Sequence, residues 1–565
     1  MTIAKIFPQD SDAVRIIPLG GCGEFGMNLT AYLHRERLFV VDCGVMFPDP
    51  MKLGVEAVIP GVHDLFEQAG GPLAYFLTHG HEDHIGAMPY VIERWPAPIY
   101  CTAWTAELLR GKFNRRGYGD RFPITVVEPG DHIRAEGFDV EYVHVNHSIP
   151  MSCALVIRTP KLKVFHTGDF RIDPTPVIEP KVDLEYLSEL GKEGIDLMLS
   201  DSTNATREGF GPSEKAVIKP LSKIFDDTKG AVVITTFSSN FWRIKSIIDI
   251  CVEKGRKLLV LGRGVDNAIS AAGETGIWTM PRGLRVEEEN ASQVPRGKLC
   301  VIATGSQGEF RSAMIRIALG EHKGFKIKDG DTVVFSSRII PGNERIVQTM
   351  MSWIDKAGGK VVTTREDPGI HVSGHAWRGE ILELMKRLKP KMFLPIHGTF
   401  THMHANQTLL AEAGLSKSKT LLIENGDVVD AVRGKLDRAG QIEVPLEFID
   451  GESYLPIAYE TLRQRLRIGE NGGAFVSGVF NRKRKDWDVD PVLLLQGIEL
   501  PWGTDTDEWH ADAVQRIMTG VEKFLKLGKI DSDAINEEVR VTLRRHFSAV
   551  LGKKPVVITQ IHLSS

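Results

Sequence analysis

The stretch Thr78-His79-Gly80-His81-Glu82-Asp83-His84 sets three imidazoles and a carboxylate within six residues, directly after the apolar run Leu73–Leu77. A compact polar cluster of this kind is costly to bury unless something is coordinated at its centre. Imidazole nitrogen and carboxylate oxygen together suit zinc, with manganese or magnesium as alternatives where carboxylates take part. A strand followed by a sharp glycine turn aims His79 and His81 to one side and Asp83 and His84 at a neighbouring point. An exposed histidine-rich loop is the plain alternative, but it gives no reason for so particular a spacing.

Four further candidates follow apolar strands: His147 after Val140–Val145, Asp169 after Leu162–Phe165, Asp201 after Leu197–Leu199 and His397 after Met392–Ile396. Strands of one sheet that end alike would gather them. The region from Val14 to about Asp201 is written in short strands punctuated by glycine, including Arg15–Leu19 and Leu38–Val41. From about Thr206 to Thr364 the rhythm changes to strand and helix in turn, with strands Ala231–Thr236, Lys257–Leu261, Leu299–Ala303, Thr332–Phe335 and Lys360–Val362. That alternation predicts a doubly wound α/β unit. A helix, Arg378–Leu388, then leads back to the earlier style. The last part, about Gly451 to Ser565, reads as two strands, two helices and a final strand, the second helix carrying Ile535, Val539, Leu543 and Phe547 on one face.

The motif Gly21-Cys22-Gly23-Glu24-Phe25-Gly26 fits GxGxxG, but a dinucleotide loop should open a helix, and Leu29–Leu33 reads as a strand. At 565 residues the chain exceeds one ordinary core. Hydrophobic residues at 42% and charged residues at 25% exclude a largely disordered chain. No apolar run is long enough for a membrane span, and Met1–Ala13 lacks a secretory pattern, so a cytoplasmic location is expected. Six scattered cysteines are expected to be buried free thiols. With a formal net charge of -4, a polyanionic partner must be held by local basic patches. Arg110-Gly111-Lys112 with Arg115-Arg116, and Arg482-Lys483-Arg484-Lys485, are candidates, set against the usual solvated charge run.

The HGHEDH stretch, Asn146-His147-Ser148, Thr167-Gly168-Asp169 and Pro395-Ile396-His397-Gly398 resemble the metallo-β-lactamase superfamily. The insertion between Asp201 and His397 resembles the β-CASP nuclease domain. The telling phrases are Asn146-His147-Ser148-Ile149-Pro150, Asp201-Ser202-Thr203-Asn204-Ala205, Thr304-Gly305-Ser306-Gln307-Gly308-Glu309, Pro341-Gly342-Asn343-Glu344 and His371-Val372-Ser373-Gly374-His375. The resemblance runs from about Leu19 to His397 and continues to the C-terminus in domain size and order. It implies an α/β protein: a metallo-β-lactamase αββα sandwich with an inserted β-CASP doubly wound α/β domain and a small C-terminal α/β domain. The expected boundaries are 1–205 and 365–450 for the sandwich and its linker, 206–364 for the insertion and 451–565 for an oligomerisation domain.

The resemblance also implies two zinc ions, with His79, His81 and His147 holding one, Asp83, His84 and His397 the other, and Asp169 bridging both. Catalytic roles fall on Asp83, on His375 as charge stabiliser or proton donor, and on Asp201 as the residue orienting a ligand histidine. The implied activity is a ribonuclease with 5′-to-3′ exonuclease and endonuclease modes, working through a two-metal-activated hydroxide in RNA decay and rRNA maturation. Ser238, Ser239, Asn240 and Arg243, with His371, Val372, Ser373, Gly374 and His375, would cradle single-stranded RNA and prefer a 5′-monophosphate end. Trp242 stands where the family has histidine, and Met151 where an acidic residue is usual. Gly54 through its carbonyl, Glu56 and Asp450 are the implied ligands of a structural calcium ion. A homodimer or homotetramer and members of an RNA-decay complex are the implied partners. The rivals are DNA as substrate, another hydrolase on the same fold, or a non-catalytic scaffold of RNA processing.

Overall fold

The computed structural model describes residues 6–10, 12–48, 54–135, 137–309, 311–340, 342–432, 434–451, 453–525 and 531–564, which leaves Pro341 of the Pro341–Glu344 phrase outside the described residues. The chain divides into two compact units, one of residues 1–47 and 58–447, the other of residues 48–57 and 448–565.

Strict two-residue periodicity builds the sandwich in the first unit. In the six-stranded sheet, ordered Met392–Ile396, Leu197–Asp201, Lys163–His166, Cys153–Arg158, Phe138–His144 and His132–Ala135, alternate residues face opposite sides. Val140, Tyr142, Leu155, Ile157, Leu197, Leu199, Met392 and Leu394 pack inward against Val14, Ile16, Tyr32, Phe39 and Phe76 of an eight-stranded sheet. Val143, Ala154, Val156, Phe165, Met198 and Phe393 face the other way, onto helices Leu184–Glu193 and Arg378–Leu388 through Leu187, Leu190, Ile381, Leu384 and Leu388. Strand Val14–Gly20 of the larger sheet is buried at every residue, as a strand covered on both faces must be. This is the expected αββα sandwich.

The insertion leaves after Leu197–Asp201 and returns at Met392–Ile396, which lies beside it in parallel, Asp201 opposite Ile396. Its own sheet is wholly parallel, in the order Lys257–Leu261, Leu299–Ala303, Val232–Thr235, Thr332–Phe335 and Lys360–Val362. Val232, Ile234, Leu258 and Ile302 face one helical layer, and Val233, Leu259, Val301 and Val333 the other. The unit is doubly wound.

The second unit contains a three-stranded sheet ordered Asp486–Gln496, Gly473–Asn481 and Val556–Ser564. Ile535, Val539, Leu543 and Phe547 of helix Ser532–Leu551 are fully buried, as their spacing predicts. Among the elements that escape the sequence reading, two show why. Helix Tyr459–Asn471 buries only Leu462, so its apolar face is too thin to register. Strand Cys153–Arg158 is a continuous apolar run whose two buried faces erase the alternation. Gly21–Gly26 opens no helix; strand Leu29–His34 follows it. The six cysteines are buried and free. Among the described residues no helix is long and apolar enough to cross a membrane.

Candidate metal centre

Thr78, the first residue of the histidine stretch, is fixed before any ligand is placed. Its N–H and Oγ1–H donate to the two oxygens of Asp42 (2.8 Å each), and its Oγ1 lies 3.0 Å from His79 Nδ1, which turns Nε2 of that ring inward. Gly80 lets the turn pack closely, since a Cβ there would come within 2.7 Å of Leu108 Cδ1. His81 then starts the short helix Glu82–Ile85, which carries Asp83 and His84. The strand-end residues arrive from the sheet, and His397 does so with a left-handed backbone (φ 54°).

The three nitrogens His79 Nε2, His81 Nδ1 and His147 Nε2 converge, His81 standing 3.0 and 3.1 Å from the other two. Nitrogens bound at roughly 2.0–2.1 Å to one tetrahedral ion stand roughly 3.3 Å apart, so the set has the span of a metal site. His84 Nε2 is 3.3 Å from Asp169 Oδ2, and His397 Nε2 is 3.3 Å from Asp83 Oδ2 and 3.4 Å from Asp169 Oδ1. Asp169 Oδ2 is also 3.6 Å from the inner nitrogens of His79 and His147. Three groups with the span of a metal site result, His79–His81–His147–Asp169, Asp83–His84–Asp169–His397 and Asp169–Asp201–His375–His397, with Asp169 common to all; the first two are the implied ligand sets. Both Asp169 oxygens are buried without a hydrogen-bond partner among the described residues. A carboxylate so placed is unstable unless cations face it, and the donor set fits two divalent ions.

The electrostatics divide the rings in two. Burial alone would depress His84 and His397, yet Asp169 and the other carboxylates lift both well above the usual range, so that without a cation in the centre protons on these rings answer the carboxylate charge and would leave when an ion binds. Burial pushes His79 and His147 well down, leaving them neutral as ligands must be. The outer nitrogens are tied back: His84 Nδ1 donates to Asp42 Oδ2 (2.7 Å), His147 Nδ1 to Gly374 O (2.7 Å), and His397 Nδ1 sits 2.8 Å from Thr203 Oγ1. Such partners fix ring orientation and tautomer. Asp42 and Asn28, whose Nδ2 lies 3.1 Å from Asp83 O, are absent from the sequence reading. Asp42 follows strand Arg37–Val41, so the strand-end rule that found Asp169 would have found it too.

Asp201 and His375 are engaged with each other (Oδ2 to Nδ1, 2.8 Å), and His375 remains one-fifth exposed. Burial opposes a charge on His375, but Asp201 and Asp169 raise it above its ordinary range. Asp201 Oδ1 accepts from Thr203 N–H and Oγ1–H, and through Thr203 it reaches His397. Gly374 has no room for a side chain: a Cβ would lie 2.8 Å from Ser148 and 2.9 Å from His147. The His371–His375 segment is thereby pressed onto the metal ligands.

Ser239 is exposed and Asn240 caps helix Phe241–Glu253 by accepting from Arg243 N–H (3.0 Å). Arg243 itself is fully buried. Its guanidinium pairs with Glu214 (2.6 Å) and donates to Ser336 O, Ser336 Oγ and Ile370 O. The side chain therefore supports the backbone of the His371 segment and presents no free donor. Ser373 Oγ accepts from Asn204 Nδ2 (2.9 Å), and burial with Arg243 nearby pushes His371 down to about 3. Trp242 is buried in the insertion's core, and Met151 (φ 57°) donates its N–H to Glu179 (2.8 Å). In the Arg110–Arg116 cluster, Lys112 pairs with Glu82 and Arg116 stacks on Tyr90.

Of the implied calcium ligands, Gly54 and Asp450 already have partners within the chain. Gly54 O accepts from Gly451 N–H (3.1 Å), and Asp450 Oδ2 receives Arg465 Nη2 (2.8 Å). Arg465 Nη1 stands 2.8 Å from where a Gly54 Cβ would be, so the guanidinium reaches both Gly54 and Asp450.

An αββα sandwich with a His/Asp cluster at its strand ends, interrupted by a parallel α/β insertion, defines a metallo-β-lactamase-type hydrolase of the β-CASP class. The metallo-β-lactamase superfamily matches residues 24–207, the ribonuclease J β-CASP domain 229–354, the Zn-dependent metallo-hydrolase RNA specificity domain 368–420 and the ribonuclease J C-terminal domain 460–563. A ribonuclease J of Sinorhizobium meliloti is 37% identical over 97% of each chain. One of Mycobacterium tuberculosis is 33% identical over 98% of each, and one of Corynebacterium glutamicum 33% identical over 98% of this chain and 76% of its own. The chain belongs to the ribonuclease J family. A crystal structure of a protein of unknown function from Enterococcus faecalis shares the fold, with a TM-score of 0.53 at 14% identity, over 74% of this chain and 100% of its own.

Proposed function

We propose that the chain hydrolyses RNA phosphodiesters at a two-metal centre, with zinc in both positions and manganese or magnesium as substitutes, and that it acts both as a 5′-to-3′ exonuclease and as an endonuclease. His79, His81 and His147 hold one ion, Asp83, His84 and His397 the other, and Asp169 both. The observation that carries this reading is Asp169, a buried carboxylate ringed by histidines but with no hydrogen-bond partner among the described residues, at the junction of the two implied ligand sets. Bound there, the ions supply Lewis acidity to the scissile phosphate.

The chain's own groups do the remaining work. His375, held by Asp201 through Nδ1, keeps Nε2 for the substrate, where an imidazolium stabilises phosphate charge or protonates the leaving oxygen. His371, Val372, Ser373 and Gly374, with Ser238, Ser239 and Asn240, receive the terminal phosphate of a 5′-monophosphorylated strand, and Arg243 keeps the first of these segments in place. Asp201 and Thr203 orient His397. The domain division at 205, 364 and 450 belongs to the same reading, as does work in RNA decay and rRNA maturation. Self-association through the C-terminal unit is supported by its sheet, whose cross-strand row Leu494, Phe475 and Ile558 is exposed.

The test compares 5′-monophosphate with 5′-triphosphate RNA, a matched DNA strand and a panel of small esters, alongside metal content. Wild type should degrade the monophosphorylated RNA fastest. His81→Ala should lose both metal and cleavage, whereas His375→Ala should keep metal and lose turnover by about 10²–10⁴-fold. Ester turnover without RNA cleavage would overturn the reading.

A further inference from the structure

The His371–His375 segment runs between two loops, each of which presents one arginine that the metal centre does not use. On one side Ser336 Oγ–H donates to Ile370 O (2.6 Å), and two residues further on stands Arg338. Gln307 pins this loop from both ends, donating to Arg338 O (2.9 Å) and accepting from Ile340 N–H (2.8 Å). On the other side Asn204 Nδ2 donates to Ser373 Oγ and His375 O. The turn begun by Asn204 closes with Arg207 N–H on Asn204 O (2.9 Å), and Arg378 N–H donates to Arg207 O (3.0 Å). The Arg207 guanidinium lies over the Trp377 indole, 5.3 Å from its centroid.

Neither guanidinium makes an ion pair or hydrogen bond among the described residues. Glu208, the acid next to Arg207, is bound instead to Arg378 (3.4 Å). Burial and then the Arg338 charge lower Arg207, and both charges also lower His371. Like charges that bear on one another are relieved by an anion bound beside them. A guanidinium fork suits phosphate, which it can bind through two parallel hydrogen bonds, and stacking on Trp377 fixes the aim of one fork in advance.

We propose that Arg207 and Arg338 form a clamp for the sugar-phosphate backbone, each taking a phosphodiester of the strand as it crosses the His371–His375 segment beside the metal centre. The inference rests on the nuclease reading above and adds the residues that separate a polymer from a small phosphodiester. Because the clamp touches phosphate alone, it adds affinity without base preference.

The experiment uses the full chain with its metals and measures affinity for a 5′-monophosphorylated single-stranded RNA against salt, with hydrolysis of bis-p-nitrophenyl phosphate as the small-substrate readout. Arg207→Ala and Arg338→Ala should each weaken RNA binding and lower the salt slope by about one, and the double variant by about two with about a tenfold or greater loss of affinity. Small-substrate turnover should stay at the wild-type level. Arg338→Lys should keep the salt slope and lose part of the affinity, since charge survives without the fork. RNA affinity and salt slope unchanged in the double variant, with wild-type cleavage intact, would overturn the clamp alone. Wild type that hydrolyses the small substrate and no RNA would overturn the nuclease reading, and the clamp with it.

Discussion

Asp42 is buried in a left-handed backbone (φ 61°), and its carboxylate serves Thr78 and His84 at once. Replacing it by alanine frees the His84 ring and leaves the Thr78 N–H unsatisfied. Metal affinity should fall by about 10–100-fold, read by competition with a chromogenic chelator; unaltered affinity would show that His84 needs no such tether. Glu179 allows a test by pH. Burial of its carboxyl pushes it up to about 8 from an ordinary 4.5. The folded chain thus retains a proton that the unfolded chain gives up above about 4.5, so this group's contribution makes stability fall as pH rises from there through 8. Glu179→Gln keeps an acceptor for Met151 N–H and removes the titration. Its Tm should match wild type at pH 5 and exceed it by several degrees at pH 8, whereas parallel Tm curves would count against a raised Glu179. At this scale the sequence was legible where ligands crowd together, as in His79–His84, and where a residue follows an apolar strand. Arg243 was not, because its partner Glu214 and its acceptors at Ser336 and Ile370 come from other segments, and residue type alone suggests phosphate as readily as a buried ion pair.

Among the elements, the strands were legible as short apolar runs. Strands Leu197–Asp201 and Met392–Ile396 are buried at every residue because each separates two cores, and their ends deliver Asp201 and His397. Cys153–Arg158 separates the same two cores but ends in no candidate ligand that would draw notice to it, while helix Tyr459–Asn471 is too polar for its period to be seen. That helix matters, since it carries Arg465 to the Gly54 and Asp450 backbone turns. We propose that this covalently attached cation serves there in place of a dissociable one. Thermal unfolding should be the same in millimolar calcium and in a calcium chelator. Arg465→Ala should lower the Tm of the C-terminal unit by a few degrees, through an uncompensated Asp450. A wild-type Tm that rises with calcium would show that the arginine yields to the ion.

The molecule as a whole carries almost balanced charge, so local arrangement decides what it meets. The outer row Leu494–Phe475–Ile558 with Val492 presents apolar side chains in the C-terminal unit, exposed by 61, 38, 49 and 61%. A second copy of the chain is the proposed cover. Leu494→Glu would put a charge in the middle of that face, and light scattering should then report the monomer mass with cleavage of short RNA retained; an unchanged mass would move the interface elsewhere.

The adjacency of strands Leu197–Asp201 and Met392–Ile396 bears on how the centre comes into being. His79, His81, Asp83 and His84 emerge early in synthesis, but His397 follows a strand whose partner lies on the far side of the entire insertion. Closing so long a loop is entropically uphill until the inserted sheet has folded and drawn its ends together. Folding of the insertion therefore favours completion of the cluster, and its last residue to be made is the one that reports it. On the proposed two-ion reading, acquisition of the ion that His397 would hold becomes a checkpoint on biogenesis, withholding hydrolytic competence from a chain whose inserted half is still unfinished.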